Sequence, residues 1–166
     1  MNNEIYFIDC SSLIDAKRYY KDNARYYPKT NLKIYWNTIN DLIKGGILKL
    51  HRYVFVELAK KDTYLKQWSS QYKPLEVKPT QFQTSIVGDL EPHFPQKVNY
   101  PGADLFVIAA AIESLQNNTT TFIVSEDTGI SNACKSGFIQ ANPQVLLLDQ
   151  FMNKIFAKRG SLLGYV

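Results

Sequence analysis

The sequence predicts an α/β sandwich around a parallel sheet. Three observations predict it: short bounded apolar runs at 5–8, 121–124 and 145–148, helical spacing between them, and acidic or turn residues where the first two runs end. With 166 residues, 45% of them hydrophobic, the chain suffices for a single domain, 1–166, that buries roughly 70% of the surface its unfolded form exposes.

Ile5, Tyr6, Phe7 and Ile8 are too few for a helix and read as a buried strand ending in Asp9. Ser11 and Ser12 can then start a helix that runs through Leu13 and Ile14. In an open parallel sheet ligands bind beyond the carboxyl ends of the strands, where Asp9 stands. The helix leads into a basic, aromatic stretch. Between Lys17 and Trp36 six basic residues face one acid, Asp22, with tyrosines interleaved. Cations neutralise phosphates and aromatic faces accept unstacked bases, so Lys17, Arg18, Tyr19, Tyr20, Lys21 and Arg25 are candidate contacts for single-stranded nucleic acid. The competing reading is that several aromatics are core and the lysines solvated.

Residues 31–44 have helical spacing and Gly45-Gly46 supplies the stop. A short strand at 47–50 and a helix at 54–61 follow, with Glu57 the odd acid among apolar neighbours. Five of the seven prolines fall within 73–101, a loop-rich insertion with one short helix near 81–90. Whether it covers the site or pads the fold stays open. Residues 103–112 are apolar nearly all round and read as a buried central helix with Asp104 in its first turn. After the strand at 121–124, residues 125–129 form a turn containing Ser125, Glu126 and Asp127, and a final helix runs over 150–158.

Cys10 and Cys134 stand far apart with no CxxC pairing and only two histidines in the chain, which disfavours zinc and a disulfide. The start, Met1-Asn2-Asn3-Glu4, lacks the regions of a signal peptide, and no run approaches the ~18 apolar residues of a membrane span. A cytoplasmic protein without a membrane partner is expected. The net charge of +4 weakly favours a polyanion.

Asp9, Glu57, Asp104 and Asp127 occupy comparable places on these elements. Each has an ordinary use: Asp9 and Asp127 can cap helices or turns, Asp104 can favour a helix dipole, and Glu57 can pair with Lys61 at i,i+4. Two unit charges ~4 Å apart repel by ~4 kcal/mol at an effective dielectric near 20, so a convergence of these acids would need protons, cationic side chains or metal ions. Oxygen ligands of this kind suit magnesium or manganese, and a pair of such ions can activate water and stabilise the leaving oxygen of a phosphodiester.

The segments Ile8-Asp9-Cys10-Ser11-Ser12-Leu13-Ile14-Asp15, Val54-Phe55-Val56-Glu57-Leu58, 102–111 and Ile123-Val124-Ser125-Glu126-Asp127, in this order, resemble the PIN-domain nucleases. The likeness is greatest to a small stand-alone bacterial subgroup often regarded as toxins of toxin–antitoxin pairs. It implies a three-layer α/β/α sandwich and an endoribonuclease dependent on one or two magnesium or manganese ions. Asp9, Glu57, Asp104 and Asp127 would be the catalytic ligands. Ser11 and Ser125, with Glu126, would support them by hydrogen bonds to ligands or bound water. Glu126 and Asp127 are adjacent, and the family's spacing favours Asp127. Asp15 is an auxiliary or solvated acid, and Leu105 stands where relatives of the subgroup often have proline. Implied partners are RNA and a cognate antitoxin that blocks the site; a homodimer stays open.

Two alternatives remain. A PIN-like fold could be kept only for binding RNA or protein. A metal-dependent phosphatase of haloacid-dehalogenase type would also place an aspartate after the first strand, but wants a second one two residues later, where this chain has Ser11. No glycine-rich turn follows the first strand, and no Gly-x-Ser-x-Gly elbow occurs.

Overall fold

A computed structural model describes residues 3–94, 102–136 and 142–163, with side chains described up to 158. The four strands are β1 (Glu4–Ile8), β2 (Leu48–Lys49), β3 (Thr120–Val124) and β4 (Gln144–Leu146). All pair in parallel, in the order β2-β1-β3-β4. Eight α-helices among the described residues flank this sheet: α1 (Cys10–Ala16), α2 (Leu32–Lys44), α3 (Arg52–Lys61), α4 (Thr63–Ser70), α5 (Gln81–Leu90), α6 (Ala103–Gln116), α7 (Thr128–Lys135) and α8 (Leu148–Leu163). The chain leaves β1 towards β2 on one side and later returns to β3 on the other. The strand order therefore reverses between β1 and β3, the position where open α/β sheets form their ligand crevice.

The apolar runs behave as their burial demands. Tyr6, Phe7 and Ile8 are buried in β1, as are Phe122, Ile123 and Val124 in β3, because helices cover both faces of a parallel sheet. Helix α6 is buried from Leu105 to Ile112 and packs on β1 and β3. Gly46, at φ +73°, ends the α2 turn in the left-handed region, where a side chain would be strained.

Several boundaries differ from those the sequence suggests. Helix α1 begins at Cys10, before Ser11 and Ser12, because Asp9 itself caps it through Oδ1, which accepts from Ser12 N at 2.8 Å. The run at 145–148 stops pairing at Leu146, since Leu148 N donates to Glu126 Oε1 at 2.8 Å and opens α8. Helix α4 has no counterpart among the sequence expectations: Asp62 ends α3 and caps α4 by accepting from Leu65 N at 2.8 Å. Helix α7 starts within the turn expected at 125–129 and continues through residues to which the sequence assigns no element.

The proline-rich stretch is an integral part of the packing as far as Phe94, and its residues 95–101 lie outside the described ones. Helix α5 packs along α6, with Gln83, Val87 and Leu90 buried. Buried His51 fastens it. Its Nδ1 accepts from Tyr53 N at 3.3 Å, so Nε2 carries the proton and donates to Gln83 Oε1 at 2.8 Å. The Gln83 amide in turn donates to Glu113 Oε2 at 2.6 Å. Burial, followed by a weaker contribution from Arg52, holds the imidazole below its ordinary 6.5 despite Gln83, Glu76 and Glu113. The unfolded chain therefore takes up this proton first on acidification. Stability from His51 should be complete above pH ~6.5 and decline as pH falls towards 5. Urea midpoints at pH 7.5 and 5 should show that decline, and His51→Gln should flatten it.

Candidate active site

The β1–β3 register pairs Ile8 with Val124, so Asp9 and Ser125 leave the sheet side by side at its carboxyl end. The Asp9 carboxylate, only 1% exposed, is held by hydroxyl and amide groups. Its Oδ2 accepts from Ser125 Oγ at 2.6 Å and from Ser11 Oγ at 2.8 Å, while Oδ1 caps α1. No cationic side chain pairs with Asp9 among the described residues. Burial raises its pKa above the usual carboxylate range, although Ser125, Ser12 and Ser11 all favour the ionised form.

Cys10, buried beside it, reports what else lies near. Burial pushes its thiol up to about 12; the negative charges of Glu57, Asp9 and Asp104 add to this, and the Lys61 cation opposes it. The charges of Glu57 on α3 and of Asp104 in the first turn of α6 are thus felt at Cys10, as that of Asp9 is. The half-buried Glu57 carboxylate is ion-paired with Lys61 one helical turn on. Among the described residues, no three His, Cys, Asp or Glu side chains are gathered closely enough to hold an ion. The oxygen donors fit magnesium or manganese in kind, with Glu57 engaged by Lys61.

The β3–α7 turn is tied to this centre through its backbone. Glu126 N donates to Ser12 Oγ at 3.1 Å and Asp127 N to Ser125 Oγ at 3.0 Å. The side chains serve helix ends: Asp127 Oδ1 accepts from Gly129 N at 2.6 Å, and Glu126 caps α8. Ser12, fully buried, is the participant that sequence reasoning passed over, treating it only as a helix starter. Its position three residues after a strand-ending acid was the available signal.

The basic, aromatic stretch divides in two. Lys17 bonds Asp62 at 2.9 Å, Lys21 sits 3.9 Å over the Tyr64 ring and 3.6 Å from Asp22, and Tyr20 packs edge-on against Tyr35. These three brace a π-helical segment (Lys17–Asp22) against α2 and the α3–α4 junction. Arg18, 3.9 Å from Asp15, is exposed, as are Tyr19 and Arg25. A hollow of about 390 Å³ lies at the amino end of β3, lined by Thr119, Thr121, Phe122 and Gln144 among others. It has no titratable lining and lies at the opposite end of the sheet from the acids.

Residues 6–145 match the family described as Domain of unknown function (DUF4411). The chain belongs to this family. The DUF4411 match runs from within β1 into β4 and so contains all of the acids above. No curated protein and no solved structure is similar enough to match. No helix of this DUF4411 chain, among its described residues, is long and apolar enough to cross a membrane.

Proposed function

We propose that the chain is a PIN-like, magnesium- or manganese-dependent endoribonuclease acting on single-stranded RNA, of the kind found as toxins in toxin–antitoxin pairs. The observation that carries this reading is Asp9: a fully buried carboxylate at the strand-order reversal, with only neutral hydrogen-bond partners. A buried charge requires a proton or a cation, and Glu57 and Asp104, whose charges are felt at the adjacent Cys10, would add oxygen donors of the kind that suit a cation.

Asp9, Glu57 and Asp104 would hold the ion or ions, with Asp127 directly or through water. The bound metal would supply an activated water and offset charge on the leaving oxygen. Ser11 and Ser125 fix the direction of the Asp9 carboxylate, and Ser12 anchors the turn bearing Asp127. Lys61, paired with Glu57, balances the charge of that carboxylate, a role that a bound cation would share. An antitoxin would act by covering this end of the sheet.

The test is cleavage of a fluorogenic single-stranded RNA. Cleavage is expected with magnesium or manganese, none in EDTA, and restoration on adding manganese; cleavage undiminished in EDTA would reject the mechanism. The Glu57–Lys61 pair and the ungathered acids favour a second reading, a PIN-like module that binds RNA without cutting it. Calorimetric titration with manganese separates the two, since the binding module should give no heat.

A further inference from the structure

Where the π-helical segment has spent Lys17, Tyr20 and Lys21 on its own packing, the residues beyond it face outward. Tyr26 and Tyr27 are 77% and 60% exposed, values unusual for rings of this size. Arg25, Lys29 and Lys33 around them are exposed too and pair with no acid among the described residues. Neither tyrosine ring packs on another aromatic among those residues. Aromatic faces and uncompensated cations in one short stretch match the chemistry of unstacked bases on a phosphate backbone. An acidic peptide would use the charges and leave the rings without a purpose.

The distance to Asp9 is set by the backbone. Helix α1 passes without a break into the π-helical segment and a 3₁₀ turn (Asn23–Arg25), all right-handed. At about 1.5 Å per residue, Cys10 to Arg25 spans roughly 24 Å. A strand stacked at 3.4 Å per nucleotide covers that in about seven nucleotides.

We propose that Arg25, Tyr26, Tyr27, Lys29 and Lys33 form a binding surface for single-stranded RNA, remote from the acids, that grips the strand about seven nucleotides from the scissile bond. The second half of this statement rests on the nuclease reading; the first does not.

Binding is therefore measured in EDTA, by fluorescence anisotropy of a labelled 12-nucleotide oligo-U. Tyr26→Ala/Tyr27→Ala should weaken it at least about tenfold, from the stacking lost at two bases. Arg25→Ala/Lys29→Ala/Lys33→Ala should weaken it and flatten the plot of log affinity against log salt by about two. All five side chains are exposed, so melting temperatures should not move. Unaltered 12-mer binding in the tyrosine variant would overturn the proposal, as would competition by poly-glutamate equal to that by poly-U. With cleavage active, the tyrosine variant should raise KM for the 12-mer but not for a tetranucleotide, which cannot reach both places. Should cleavage be absent while 12-mer binding depends on the tyrosines, the surface stands and only the nuclease reading falls.

Discussion

Asp9→Asn is expected to lower RNA cleavage on the order of a thousandfold, the loss of about 4 kcal/mol of transition-state stabilisation, while leaving the metal-free fold at least as stable. The two expectations share one cause. Asparagine retains an oxygen to cap Ser12 N and an amide towards Ser11 and Ser125, whose hydroxyls can turn to accept. It cannot supply the charge that holds a cation. The unfolded chain loses the Asp9 proton near 3.8, whereas burial makes the folded chain lose it at higher pH. Stability attributable to Asp9 therefore declines as pH rises between those values, and the deficit persists at neutral pH, where the asparagine variant escapes it. Melting in EDTA at pH 7 should place the variant level with or above the native chain. Manganese should then raise the melting temperature of the native chain alone. Retained cleavage in the variant, or an unfolded variant, would contradict this account.

Such a carboxylate, buried at the switch point of the sheet with only neutral partners, would fit the proposed metal site in a sequence whose other choices agree with its structure. Those other choices explain how much could be read in advance. The bounded apolar run before Asp9, the amphipathic period of α2 and the all-round apolar α6 are patterns that can be recognised without any tertiary contact. Helix α4 shows only Leu65, Trp68 and Ser69 to the core over eight residues, and α7 buries only Ile130, Ala133 and Cys134. Each set keeps the i, i+3, i+4 spacing of a helix but shows it only once, too briefly to stand out in the sequence. The Asn40 carbonyl that receives Trp68 Nε1 and the Tyr72 hydroxyl, closing α4 onto α2, is equally invisible before the fold exists.

The site shows the same division. The resemblance implies hydrogen bonds from Ser11 and Ser125 to ligand side chains or bound water, and both hydroxyls donate to the Asp9 carboxylate. Ser12 depends on a partner 114 residues away, brought there by the β1–β3 register. The basic stretch is legible only as a composition for a related reason: composition marks cations and rings but not which of them find Asp62, Tyr64 or Tyr35.

Phe151→Ala is the counterpart to Asp9→Asn, expected to damage stability and spare chemistry. Phe151 on α8 is fully buried with its ring 5.0 Å from that of Tyr6, which itself stacks at 5.2 Å on Phe122. The three rings lock α8 onto β1 and β3. Removing one leaves a cavity that the rigid sheet cannot fill, at a cost of about 3–5 kcal/mol and a fall of roughly 10–15 °C in melting temperature. Phe151→Leu, which refills much of the volume, should recover most of that loss. The molecules that remain folded should still cleave at close to the native rate. Asp9 and Ser125 are aligned by the backbone pairing of Ile8 with Val124, and the ring stack lies two residues further back along each strand. Rate measured per folded molecule, with the folded fraction read from circular dichroism, distinguishes this from a role for Phe151 in the site. A large fall in that normalised rate would mean that the ring stack, and not the strand register alone, holds the acid and its serine in place.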